Sequence, residues 1–206
     1  MLKIKSTWAF LCLFFFAPIL TEAKDLGLVI QGGVQTGGES FDEVSPGVDA
    51  GFEASKGYGF GIGVLYRLSP GEPHSYEVQT SLSYLTNSDG MSNDEDSTNE
   101  VLDWSRSAVE LQTFYHNTRD RFRVGWGLLQ VVDAELHGEG SRAVTTEFKN
   151  TLGFTISFER VHHPLTDDPD HRLFYGVRLT SLDYKTRSGA KLNGDSVGVY
   201  FGAMMF

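Results

Sequence analysis

The stretch Gly57–Leu68, GYGFGIGVLYRL, restricts the fold of this chain more than any other. Tyr58, Phe60, Ile62, Val64, Tyr66 and Leu68 hold one set of alternate positions, and Gly57, Gly59, Gly61 and Gly63 hold most of the other. A period of two is that of a strand, whose successive side chains point to opposite faces. In a half-buried soluble strand the apolar face meets a core and the other face, usually polar, meets water. Here the other face is almost bare, and glycine weakens a strand interior unless something needs the space. The pattern predicts large side chains turned outward into an apolar medium and small ones turned into a crowded interior, as in a membrane barrel.

The start of the chain bears on the same question. Lys3 and Lys5 precede the short apolar run Trp8–Leu20, and Thr21-Glu22-Ala23 offers small residues where a signal peptidase reads. A spanning helix needs about 20 apolar residues, and this run is shorter and broken by Pro18. Residues 1–23 are expected to be a cleaved secretory signal, leaving 24–206 as a single barrel domain. Cys12, the only cysteine, falls in the signal, so the mature chain is expected to carry no thiol. The formal charge of −10 becomes more negative once Lys3 and Lys5 are removed, which argues against nucleic acid as a partner. No later segment is long and apolar enough for a helical span, so any crossing must use strands closed into a barrel.

The alternation of the opening stretch recurs. Segments at about 26–35, 57–68, 75–85, 104–115, 122–129, 148–159, 172–184 and 196–206 each read as a strand, eight in all. The clearest sets Tyr76, Val78, Thr80, Leu82 and Tyr84 against Glu77, Gln79, Ser81 and Ser83; the last is apolar on both faces and has no orientation from pattern alone. Eight is the smallest strand number of single-chain outer-membrane barrels. Connections alternate: 36–56, 86–103, 130–147 and 185–195 are long to moderate, whereas 69–74, 116–121 and 160–171 are shorter. Long loops outside and short periplasmic turns place both termini in the periplasm. Tyr58 to Tyr66 and Tyr76 to Tyr84 each span eight residue steps. At roughly 3.3 Å per residue and a tilt near 40° that is about 20 Å along the axis, close to the ~25 Å band flanked by aromatic girdles. A soluble lipocalin-type barrel also has eight alternating strands, but its water face would then be the glycine face, a poor soluble exterior.

With the signal segment, the eight strands, the alternating connections and the ending SVGVYFGAMMF, the chain resembles the small outer-membrane barrels of Gram-negative bacteria, the OmpA-like and OmpX-like group with its OmpW relatives. The resemblance implies an all-β, eight-stranded antiparallel up-and-down transmembrane barrel, monomeric, in the outer membrane. It further implies that Phe206 serves as an assembly signal for the barrel insertion machinery, with Met204 and Tyr200 at its apolar places. Gly202 stands one place from where the usual glycine would be.

An eight-stranded barrel encloses only enough room for side chains. The inward set is expected to include Arg67, Glu77, Gln79, Arg106, Glu110, Gln112, Arg123, Glu159 and Arg178, with both signs present as mutual pairing in a plugged interior requires. A gated ion path is the alternative for those residues. Tyr58, Tyr66, Tyr76 and Tyr84 are expected in the lipid-facing girdle. In the outer loop Thr86–Glu100, Asp89, Asp94, Asp96 and Glu100 are oxygen ligands dense enough to hold divalent cations shared with lipopolysaccharide, although their spacing is not that of an EF-hand. His74, His116, His162, His163 and His171 fall in the periplasmic turns, and the His162-His163 pair with Asp167, Asp168, Asp170 and His171 is a weak metal candidate. Lipid A enzymes also use barrels of this size. The Ser88, Asp89 and His137 set is the only counterpart here, on separate loops. The reading that follows is a structural or surface-interaction barrel with acidic outer loops, without a catalytic role or cofactor. OmpW-like transport of small hydrophobic solutes is the alternative, and a lipid A-modifying enzyme comes third.

Overall fold

The computed structural model describes residues 25–41, 52–70, 72–91, 100–139, 144–162 and 171–206. Its strands are β1 (Leu26–Gly37), β2 (Gly57–Arg67), β3 (His74–Met91), β4 (Glu100–Asn117), β5 (Phe122–Glu139), β6 (Val144–Glu147), β7 (Thr151–His162), β8 (His171–Ser181), β9 (Asp183–Lys185), β10 (Lys191–Asn193) and β11 (Ser196–Met205). Omitting the short β6, β9 and β10, each long strand pairs with the next in antiparallel register, and β11 pairs back with β1 from Leu28↔Met205 to Gly37↔Ser196. The eight long strands therefore close into an up-and-down cylinder. Closure leaves the spanning wall without an edge, which a bilayer requires because nothing there can bond an unpaired amide.

The two faces separate as the opening stretch predicts. On β2, Tyr58, Phe60, Ile62 and Tyr66 are exposed, while Gly57, Gly61, Gly63 and Leu65 are buried. The same exterior continues through Leu28, Ile30, Leu111, Trp126, Leu128, Phe154, Phe158, Leu173, Tyr175, Val199 and Phe201. The last strand now has an orientation: Val197, Val199 and Phe201 face out, and Met204 is buried. Close approach explains the inner glycines. A Cβ at Gly63 would press on the carbonyl of Thr80 and on Ser81, and one at Gly125 would enter the ring of Phe114. At Gly202 it would collide with Phe174 and the Ile30 carbonyl.

Several connections differ from the sequence reading. Most of the 130–147 segment is strand rather than loop: β5 runs on to Glu139 and pairs with β6. A bulge conceals this, because Ser107 pairs with Asp133 and Ala108 with Val131, leaving Val132 over. The extra residue shifts the phase, so that Leu129 and Val131 before it and Ala134 and Leu136 after it are all buried. β3 and β4 likewise extend into 86–103, as far as Met91↔Glu100. Their upper residues are polar on the outer face, so no apolar alternation marks them. Residues 185–195 are not an open loop but contain most of the β9–β10 hairpin, paired from Lys191↔Lys185 to Asn193↔Asp183. Phe148, expected to begin a strand, instead forms an isolated bridge to Thr186. Residues 1–24, which contain the expected signal, lie outside the described residues.

The Leu128 side chain lies mid-wall, paired across to Leu111 and Phe154. Leu128→Arg should destabilise the inserted barrel by ~2–4 kcal/mol, the cost of an outward arginine near the bilayer midplane. Denaturant unfolding from vesicles would measure this, and a cost near zero would place that face away from lipid.

Candidate functional site in the lumen

Strand alternation brings the chemistry-bearing side chains into the lumen, stacked between two apolar clusters. At its centre Arg123, fully buried, meets Glu77 (Nη1 to Oε2, 2.9 Å) and Glu159 (Nε to Oε2, 2.8 Å). Its guanidinium lies 3.9 Å from the Phe114 ring centre, and Nη2 donates to Gln79 at 3.4 Å. The other Glu77 oxygen contacts His116 Nδ1 at 2.9 Å, and the Tyr200 hydroxyl donates to Glu159 at 2.7 Å. A second pair sits nearby: Arg178 donates to Glu110 at 3.0 Å and to Gln31 at 3.4 Å, with its guanidinium 4.7 Å from the Tyr200 ring centre. Arg106 donates to the Tyr184 hydroxyl at 2.9 Å, and Gln112 bridges to Thr155 at 2.9 Å. Charges withdrawn from water in this way persist only when paired and hydrogen-bonded.

His116 is a correction to the sequence reading. It belongs to β4 rather than to a turn, and it is buried against Glu77. Apart from its phase on β4, which matches Glu110 and Gln112, no local signal marks it, because it stands next to the turn.

The lumen has two ends, outer and periplasmic in the orientation expected from the connections, and the outer one is filled by apolar side chains. Phe41, Phe52, Trp104, Phe148 and Tyr184 cluster with Leu129, Val131, Leu136, Leu182 and Leu192. Trp104 meets Phe41 at 4.8 Å, Tyr184 at 5.3 Å and Phe148 at 5.4 Å between ring centres. Phe41 and Phe52 come from the described ends of the β1–β2 connection, which are tied to the end of β10 and the residue after it: the Ser55 hydroxyl donates to the Gly194 carbonyl at 2.6 Å, and Glu39 N–H donates to Asn193 O at 2.8 Å. Below this cluster a cavity of about 60 Å³ remains, bordered by Gln31, Ser83, Arg106, Glu110, Arg178 and Tyr200. That is space for a few water molecules.

The periplasmic end is closed by Val29, Leu65, Val161, Phe174 and Met204, with Tyr200 and Phe206 packed against them. The guanidinium of Arg67 lies 3.1 Å from the Phe206 ring centre, and that of Arg172 lies 5.4 Å from it. The Phe206 ring occupies the space a side chain at Gly27 would need. Phe206, Met204 and Tyr200 thus share the inner phase of β11.

Of the tyrosines expected at the girdle, Tyr58 and Tyr84 stand toward the outer end and Tyr66 and Tyr76 toward the periplasmic end, all exposed. His74 stacks on Tyr115 at 5.9 Å and accepts or donates a 2.7 Å hydrogen bond with its hydroxyl. His162 stacks on Tyr175 at 5.4 Å. Asp94, Asp96, His163, Asp167, Asp168 and Asp170 lie outside the described residues; Asp89 and Glu100 are placed in β3 and β4 by their backbones.

Ser88 and His137 also differ from expectation, since both lie on strands. Ser88 pairs with Asp103, and Asp103 with His137, so the three share one row of the upper wall. Asp103 separates the other two, and with strands about 4.8 Å apart Ser88 and His137 are roughly 10 Å from each other. The register therefore puts Asp103, not His137, next to Ser88. Asp89, one residue on, pairs opposite Leu102.

Arg123 is the residue on which the central cluster converges. Arg123→Met should cost ~3–5 kcal/mol by leaving Glu77 and Glu159 buried without their cation. Arg123→Met combined with Glu77→Gln and Glu159→Gln should recover most of that loss. Unfolding midpoints in detergent would reveal it, and equal loss in both variants would deny the pairing its role.

No protein-family model matches the chain, and no curated protein does. Among solved structures it is similar to a major outer membrane protein from Thermus thermophilus, at 13% identity and a TM-score of 0.52, over 87% of this chain and 98% of that one. Neisserial surface protein A matches at 13% identity and a TM-score of 0.46, over 87% and 96%. The translocator domain of the autotransporter NalP from Neisseria meningitidis matches at 11% and 0.34, over 96% and 95%. At such identities the likeness concerns fold, and of these three the Thermus protein has the overlap to support it. With the closed cylinder and its continuous apolar exterior, that likeness gives this chain the fold of the small outer-membrane β-barrels, a membrane-embedded wall of eight strands.

Proposed function

We propose that this barrel is a structural and surface-interaction protein of the bacterial outer membrane and conducts no solute through its lumen. The observation that carries the reading is the filled interior. An aromatic cluster seals the outer end, the Arg123 and Arg178 pairs occupy the middle, and Phe206 lies across the periplasmic mouth. A remaining cavity of about 60 Å³ does not pass a nutrient.

Function then belongs to what rises above the bilayer. β3, β4 and β5 have 18 residues each against 11 for β2 and β8, so one side of the wall is taller than the other. Its outer face carries Asp103, Asp133 and Glu135, and the chain connecting β3 to β4 adds Asp94, Glu95 and Asp96. Carboxylates at that height suit divalent cations bridging to the phosphates of lipopolysaccharide. Transport of a hydrophobic solute, the competing reading, needs an apolar path near the top; the apolar residues are there, but they pack against one another.

Two measurements separate these readings. In planar bilayers the protein should give no sustained conductance steps, whereas stable channel openings would favour transport. Replacing Asn87–Val101 by a short Asn-Gly turn should abolish magnesium-dependent binding of lipopolysaccharide while the barrel still folds. Unchanged binding by the shortened protein would remove the acidic connection from the interaction.

A further inference from the structure

Arg160 interrupts an otherwise uncharged wall. From the outer tyrosine level to the periplasmic strand ends, it is the one Asp, Glu, Lys or Arg among the described residues that stands on the outward phase of a spanning strand. It is exposed, and it forms no ion pair among the described residues. Its cross-strand partners are Phe122 on β5 and Tyr175 on β8, and the Tyr175 ring stacks on His162 two residues further along β7. The Phe122–Arg160–Tyr175 row lies next to the periplasmic end of β7. An outward arginine is costly at the bilayer midplane and nearly free at the interface, so this height is that of lipid headgroups.

Beside Arg160 the wall carries a depression of about 440 Å³, bordered by Phe122, Val124, Phe158, Tyr175 and Val177. These five side chains are on the outward, lipid-facing phase; Arg160 and the inward residues Arg123, Glu159 and Tyr200 also border it. A cationic fork at headgroup height above an apolar trough complements one kind of molecule, a phosphodiester carrying acyl chains. We propose that this face binds a glycerophospholipid of the periplasmic leaflet, with Arg160 bidentate on the phosphate and one acyl chain lying in the trough. Arginine suits the role because its planar donors match phosphate oxygens in pairs, which a lysine does not reproduce.

The proposal rests on the barrel being membrane-embedded, which heat-dependent gel mobility of each variant tests separately. Native mass spectrometry of the folded full-length barrel, titrated with phosphatidylglycerol in detergent, should show one lipid retained. Arg160→Gln should weaken retention ~10-fold or more, the worth of a charge-assisted contact; Arg119→Gln, in the exposed β4–β5 turn, should leave it unchanged, and Arg160→Lys should fall between. Inorganic phosphate at millimolar concentration should not displace the lipid. Retention equal in wild type and in both Arg160 variants overturns the site. Displacement by inorganic phosphate alone overturns it as well, since the anion would then be bound without the trough. Should Arg160→Gln fail to fold, Arg160→Lys and Phe158→Ala, which shortens the trough's border, still decide the matter by the same readout.

Discussion

The width of an eight-stranded cylinder governs everything inside this protein. Such a barrel leaves room for side chains and for little else, so each inward position must be chosen against those facing it. Where a neighbour is large, the position shrinks to glycine: Gly125 faces the Phe114 ring, Gly202 faces Phe174, and Gly27 faces Phe206. Where polar groups must be inside, the narrow space forces them into contact. Arg123 touches two carboxylates, a glutamine, a thioether and an aromatic face. The glycines and the ion pairs are two responses to one constraint on volume.

That constraint also explains which parts were legible in the sequence. The wall was readable because lipid imposes a period of two on every spanning strand, and the glycine face of β2 stated the orientation outright. Sequence alternation was silent above the bilayer, where water accepts polar residues on the outer face. There Asn87, Ser88 and Asp89 continue β3 without any apolar signal. The β5 extension failed to show for a different reason, since the bulge at Val132 resets the alternation in mid-strand. The identities of the inward polar residues could be enumerated by phase, but not their partners. That Arg123 would join Glu77 on β3 to Glu159 on β7, and Arg178 would reach Glu110, depends on strand stagger, which no single segment encodes. The aromatic cluster at the outer end was the least visible feature. Phe41 and Phe52 come from a connection that reads as loop, and only the packing of Phe41 on Trp104 and Phe148, and of Phe52 on Phe41, shows that they complete the interior.

Interior organisation along the axis follows from what lies beyond each end. A charged middle with open ends would let water reach the carboxylates, and their pairing with arginine would weaken as the local dielectric rose. Apolar clusters on both sides shield the Arg123 pairs from bulk water. The outer one is assembled from a connection, a hairpin and the upper strands, so folding of those parts over the mouth is coupled to the strength of the ion pairs beneath. Tyr184 makes the link directly, since it packs in the aromatic cluster and accepts a hydrogen bond from Arg106.

The periplasmic end reaches the same result with the chain terminus. Phe206 is in phase with Met204, Gly202 and Tyr200, on the inner side of the last strand, while Val197, Val199, Phe201 and Met205 carry its outward set. A terminal aromatic facing lipid would have contributed to the girdle. One facing inward, over Arg67 and against the gap at Gly27, instead closes the mouth. Closing it requires that β11 already be registered on β1, because Gly27 lies on β1 and Arg67 ends β2. The ring can therefore settle only after the barrel has closed, and its contact with Arg67 favours the closed state over any arrangement in which the first and last strands remain apart.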